Sequence, residues 1–144
     1  MAAGKRTKSF SARFSADVLE KLSEHSERIG QSNARVAERL ITEGLQMEEF
    51  PGVVFRSGPT GRRAGIAGGP DVWEIVRDLK GAARAGADDP IGAVSDVTGI
   101  DRNKIELAAN YYASYPKEID DRIRFSDEAA ERLRNALDGA ASIA

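Results

Sequence analysis

Ser9, Ser11 and Arg13 fall on one face of the segment KSFSARF, while Phe10, Ala12 and Phe14 fall on the other. A period of two is that of a half-buried strand. Arginine pairs bidentately with guanine O6 and N7, and a serine hydroxyl both donates and accepts. The polar face therefore suits base edges in a major groove, which a two-stranded antiparallel ribbon fits. Lys5 and Arg6 precede the segment and Lys8 opens it, with no acid anywhere in residues 1–14. Cations so placed neutralise phosphates and give salt-dependent affinity. The plainer reading of the same residues is an ordinary exposed strand face behind a solvated basic tail.

Other chemistries find little support. The chain has no cysteine and a single histidine, His25, which excludes disulfides, thiolate nucleophiles and multi-histidine metal sites. His25 sits at the edge of an apolar helical stripe and reads as a packed or partly exposed histidine. The pairs Asp88–Asp89 and Asp120–Asp121 are adjacent in sequence, so on a helix or strand they point apart. No enzyme mechanism can be assembled from these residues, and no metal or cofactor is implied. The 144 residues are 41% apolar and 31% charged, with a net charge of −2. That composition fits one domain or two very small ones, too balanced in charge to be disordered throughout. No apolar run approaches the roughly 18 residues of a membrane span. The stretch MAAGKRTKSFSARF lacks the apolar segment and cleavage site of a secretory signal, so the expected compartment is the cytoplasm.

The elements that must position the polar face follow at once. Ser15 stands where an N-cap belongs, with Asp17 in the first turn. Val18, Leu19, Leu22 and Ile29 recur at helical spacing, which predicts a helix over 16–29 ended by Gly30. A second cap at Ser32 opens a helix with a stripe of Val36, Ala37, Leu40, Ile41 and Leu45, ending near Met47. Backbone N–H groups at Ser32 and Asn33 are then placed to bind another phosphate. One strand has no ladder partner, and a core this small is marginal alone. The economical solution is a homodimer in which two copies of residues 7–14 pair antiparallel, with Phe10, Ala12 and Phe14 as shared core.

From Thr7 to about Glu48 the chain resembles the ribbon-helix-helix (MetJ/Arc/CopG) DNA-binding family. The likeness rests on the alternating basic strand, the SADVLEKL helix start and the GQSNARVAERLI turn and helix, in that order. It implies an intermolecular ribbon, a palindromic operator, and Ser9, Ser11 and Arg13 as the base-reading positions.

Downstream, GVVFRSGPTGRRAGIAGGP predicts a short hairpin, Val53–Phe55 against Ala64–Ile66 around SGPTG. It lacks the GK[ST] of a phosphate loop, and tight turns with positive φ explain its glycines better. Its arginines, Arg56, Arg62 and Arg63, would face a phosphate or an acidic partner. DVWEIVRDLK predicts a helix over 71–80 with Trp73 in its core or at an interface. GAARAGADD reads as a linker. Pro90 opens a helix through Val97, stopped by Gly99, and Asp101 caps another bearing Ile105, Leu107, Ala108, Tyr111 and Tyr112. This pair has helix-turn-helix spacing, a signal that many helical hairpins share. Tyr112 and Tyr115 are expected to pack together against Trp73. SDEAAERLRNALDGAASIA predicts a separate capped helix, Ser126 to about Leu137, fading into a tail.

The stretch from Val53 through Ile123, above all GPTGRRAGIAGGPDVWEIV and ANYYASYPKEIDDRI, resembles a second family. It is a small domain of unknown function, numbered four-three-three, considered antitoxin-related and often found beside PIN-like toxin genes. GAARAGADD is longer than that family's usual linker. The resemblance implies a VapB-like antitoxin. Its cations for an acidic toxin site would be Arg122, Arg124, Arg132 and Arg134, with Arg62 and Arg63 as the other source.

The expected fold is thus mainly α with a short strand. A dimeric ribbon-helix-helix domain spans 1–50, a small helical domain with a hairpin and a helix-turn-helix-like pair spans 51–124, and a C-terminal helix and tail span 125–144. The expected function is an antitoxin that represses its own operon and neutralises a PIN-like ribonuclease. The alternative is a stand-alone regulator that binds DNA through both the ribbon and the helix-turn-helix. The expected partners are operator DNA, a second copy and the toxin, with no membrane.

Overall fold

A computed structural model describes residues 6–143, and within them the chain forms two compact units divided between Gly44 and Leu45. The expectation for Lys5 lies outside the described residues.

The first unit contains α1 (Ala16–Ile29) and most of α2 (Asn33–Glu49). Ser15 caps α1 by accepting from the Val18 amide at 3.4 Å, and Gly30 ends it in the left-handed region at φ 68°. That conformation carries no steric penalty for glycine, which is why the helix stops there. Ser32 Oγ accepts from the Arg35 amide at 3.2 Å and caps α2. Two polar contacts join the helices: Asn33 Nδ2 donates to Ser23 Oγ at 3.1 Å, and an Arg39 Nη2 lies 3.4 Å from His25 Nε2. Residues 6–15 form neither helix nor strand in the single chain. The strand expected over 8–14 is therefore not formed in the single chain, where the segment has no ladder partner among the described residues.

The second unit begins in the last residues of α2. Strands β1 (Val53–Arg56) and β2 (Arg63–Ile66) pair antiparallel in the register Val53↔Ile66, Val54↔Gly65, Phe55↔Ala64 and Arg56↔Arg63. Four helices follow: α3 (Val72–Arg84), α4 (Pro90–Thr98), α5 (Arg102–Ser114) and α6 (Pro116–Ala141). α3 is central and packs on β2, α4, α5 and α6. Val53, Ala64, Ile66, Val72, Ile75, Val76, Val94, Ile105, Ala108, Tyr111 and Ile119 make one continuous core. This unit is mainly helical with a two-stranded sheet, as its sequence pattern predicts.

Three expectations need correcting. α3 does not stop at Lys80: Gly81, Ala82, Ala83 and Arg84 continue it, and Ala82 packs on the core. Alanine is the best helix former, so a small-residue stretch of this kind extends a helix as readily as it links two. Ser126 caps nothing, because α6 is one helix of 26 residues beginning with Pro116 at its first turn. Proline suits that position, and no glycine interrupts the helix before Gly139. Tyr112 and Tyr115 do not pair against Trp73. Tyr111 is the fully buried tyrosine, and its ring meets Phe50 at 5.3 Å and Tyr115 at 4.9 Å.

Candidate functional site

In the N-terminal unit, Arg6, Lys8, Ser9, Ser11 and Arg13 are all exposed, on a segment without regular structure. Ser32 and Asn33 are exposed at the start of α2, with their side chains engaged in the cap and in the bond to Ser23. The apolar side of the same segment is exposed too, Phe10 by 84% and Phe14 by 55%. Phe14 lines a concavity of about 370 Å³ with Val18, Leu19, Leu22, Leu40 and Ile41. Val36 is the fully buried apolar side chain of this unit, whereas Val18, Leu19, Leu40 and Ile41 remain about half exposed. The helices form in the single chain, and their apolar faces stay open.

In the second unit the hairpin register sets Arg56 directly opposite Arg63. Like charges facing each other across two strands repel, so an anion must lie close. Asp71, just ahead of α3 and nearly buried, supplies it. Arg56 Nη1 donates to Asp71 Oδ1 at 2.9 Å, and Arg63 Nε donates to Oδ2. Arg56 Nη2 donates further to the carbonyls of Ile66 at 2.6 Å and Gly69 at 2.8 Å. The Asp71 amide donates to Glu74 at 3.0 Å, tying the start of α3 to the same network. Two glycines make room for it. A Cβ at Gly65 would stand 2.3 Å from Arg56 Nη1, and one at Gly58 would stand 2.1 Å from Arg63 Nη1. These glycines therefore clear space for guanidinium groups, which the reading by turn geometry alone missed. The register was the available signal: once Arg56 faces Arg63, the next acid along the chain is Asp71.

The remaining cations are distributed unevenly. Arg122, on α6, donates to the carbonyl and hydroxyl oxygens of Thr60 at 2.9 and 2.5 Å and holds the hairpin tip. Arg62 donates to Ser57 Oγ at 2.7 Å. Arg63, Arg62 and Arg122 thus gather where the hairpin meets α6. Arg124 turns instead to Asp121 at 3.1 Å, and Arg132 and Arg134 lie farther along the exposed end of α6. A cleft of about 520 Å³ opens between the hairpin tip and α6, with Trp73 and Phe125 in its walls. Trp73 Nε1 is buried and has no acceptor among the described residues.

A separate polar cluster fixes the start of α6. Lys80 Nζ donates to Asp120 at 2.6 Å and sits 4.9 Å over the Tyr112 ring, whose hydroxyl also donates to Asp120 at 2.8 Å. The Lys80 ammonium and the Tyr112 hydroxyl hold the Asp120 carboxyl below the ordinary carboxylate range, and Asp120 raises Lys80 in return. Tyr115 donates to Glu49 at 2.9 Å, and that carboxylate raises its phenol.

No group of three or more potential metal ligands occurs among the described residues, and no helix there is long and apolar enough to cross a membrane. Comparison with known proteins gave no match to any family model, curated protein or solved structure.

Proposed function

We propose that the chain is a homodimeric, operator-binding repressor of the antitoxin type. Its N-terminal unit would read DNA, and its second unit would hold a PIN-like ribonuclease toxin. One observation carries the DNA-binding half: the first unit leaves Phe14, Val18, Leu19, Leu40 and Ile41 exposed around an apolar concavity, and Phe10 exposed as well. Full burial of a wholly exposed side chain of this kind is worth about 1.5–3 kcal/mol, and most of these, about half exposed, would each gain about half of that under a second copy. The same copy supplies the ladder partner that residues 7–14 lack. Paired, the two segments bury Phe10, Ala12 and Phe14 and turn Ser9, Ser11 and Arg13 outward as a ribbon for the major groove. Arg6 and Lys8, together with Lys5, neutralise phosphates, and the backbone amides of Ser32 and Asn33 at the start of α2 donate to another.

The toxin half rests on the resemblance of the hairpin and of the α5–α6 sequence to an antitoxin-associated domain. The end of α6 supports it. Leu133 and Leu137 are exposed there on a helix that also carries Arg132 and Arg134. The alternative DNA reader, α4 with α5, is less well equipped. Its exposed residues include Asp96, Asp101 and Glu106, and Arg102 is already paired with Asp89 at 2.8 Å.

The test is Phe14→Asp in the full chain. A carboxylate in the shared core is costly to bury unpaired, so sedimentation should show a monomer and a gel shift with the chain's own upstream DNA should vanish. A variant that stays dimeric and still shifts that DNA removes the ribbon from the proposal. Co-expression with the neighbouring gene product tests the toxin half separately: growth restored by the second unit supports it, and unrelieved toxicity refutes it.

A further inference from the structure

We infer that the cleft between the hairpin tip and α6 is a docking site for an acidic peptide segment that carries one carboxylate next to an apolar side chain. This deepens the reading of the second unit as a protein-binding module, and it stands apart from what the N-terminal unit does with DNA.

The charge balance selects the ligand. Arg56, Arg63 and Arg122 line the cleft against Asp71 and Glu74, so three cations face two acids and one positive charge is left over. A single carboxylate restores neutrality. A phosphate dianion or a nucleic-acid strand would bring more negative charge than the cations balance and set it against Asp71 and Glu74. Donors remain for that carboxylate. Arg63 meets Asp71 through Nε alone, and a guanidinium carries five N–H groups in a planar fork suited to carboxylate.

The walls select the neighbouring residue. Phe125 is 45% exposed and lines the cleft with Trp73, and the Arg122 guanidinium stands 5.6 Å from its ring centre. An apolar side chain placed there would cover both rings while the carboxylate meets the arginines. The cleft thus offers what an anchor pocket needs, an aromatic floor and a cationic rim.

Trp73 is the chain's one tryptophan, so its emission reports the site directly. The probe is the blocked peptide acetyl-Gly-Asp-Leu-Gly-amide, titrated into the full-length dimer at low salt. The expected result is a saturable change in Trp73 emission. The Asn counterpart of the peptide should bind about tenfold more weakly, the worth of one charge-assisted hydrogen bond. Arg122→Gln and Phe125→Ser, which alter partly exposed side chains, should each weaken the Asp peptide while far-UV circular dichroism and the upstream-DNA gel shift stay unchanged. Equal affinity for the Asp and Asn peptides overturns the inference. So does a flat Trp73 signal to millimolar peptide, or saturation by inorganic phosphate or a single-stranded oligonucleotide in its place. A failed titration beside an intact gel shift sinks the cleft alone, whereas a lost gel shift with an intact titration sinks the DNA reading.

Discussion

Asp71 holds two arginines that the hairpin register forces into opposition, and its removal would leave Arg56 and Arg63 facing each other with no shared anion. Breaking a buried pair of this kind costs about 3–5 kcal/mol, and the partial exposure of both arginines lowers the figure here to about 2–3 kcal/mol. Asp71→Ala should therefore lower the unfolding free energy of the second unit by that amount in urea unfolding. Arg56→Ala combined with Asp71→Ala should recover part of the loss, and strict additivity of the two would show that the charges do not interact. At the other end of the chain, Arg13→Ala should reduce affinity for the specific operator by about 1–3 kcal/mol and relax preference at one base pair. Lys8→Ala should weaken all duplexes alike and flatten the salt dependence. Equal loss on random and operator DNA would make Arg13 a phosphate contact.

Among the elements, α6 is tied to α3 through Lys80, Asp120 and Tyr112, and this tie is pH-sensitive. The folded Asp120 carboxyl titrates below its unfolded value, so its stabilising contribution is complete above the ordinary aspartate range and disappears as pH falls through the folded value. Asp120→Asn should accordingly flatten the acid limb of unfolding below the ordinary aspartate value of about 4, followed by circular dichroism. An unchanged acid limb would assign the stability of this junction to packing alone. The elements also show what the sequence made legible. Ser15 and Gly30 bracket α1 because a cap oxygen and a left-handed glycine each leave a local signature, and the hairpin is plain from its Val and Phe run around glycines. The end of α3 and the start of α6 are hidden for the opposite reason. Ala82 is chosen by core contact as much as by propensity, and Ser126–Asp127–Glu128 carries a cap's composition in mid-helix. The Asp71 network needed the strand register before its partners became visible, and the Trp73–Phe125 cleft needed the continuity of α6.

At the scale of the whole molecule the two units differ in how complete they are. The second closes its core within one chain, and residues 131–143, the final turns of α6 and the two residues after it, are exposed throughout. Truncation after Ala130 should therefore leave the thermal midpoint and operator binding near those of the full chain while abolishing toxin neutralisation. If the shortened protein still silences the toxin, the cleft suffices, and Arg132, Arg134, Leu133 and Leu137 are only a solvated helix end.

The open apolar face of the first unit bears on the timing of synthesis. A ribosome delivers the N-terminal unit first, yet on the dimer reading it is the last part to be finished, because half of its interior belongs to another polypeptide. The second unit emerges later and completes itself unaided. Two chains growing side by side on one message would shorten that wait, so the genetic neighbourhood in which translation happens becomes part of how this fold is reached.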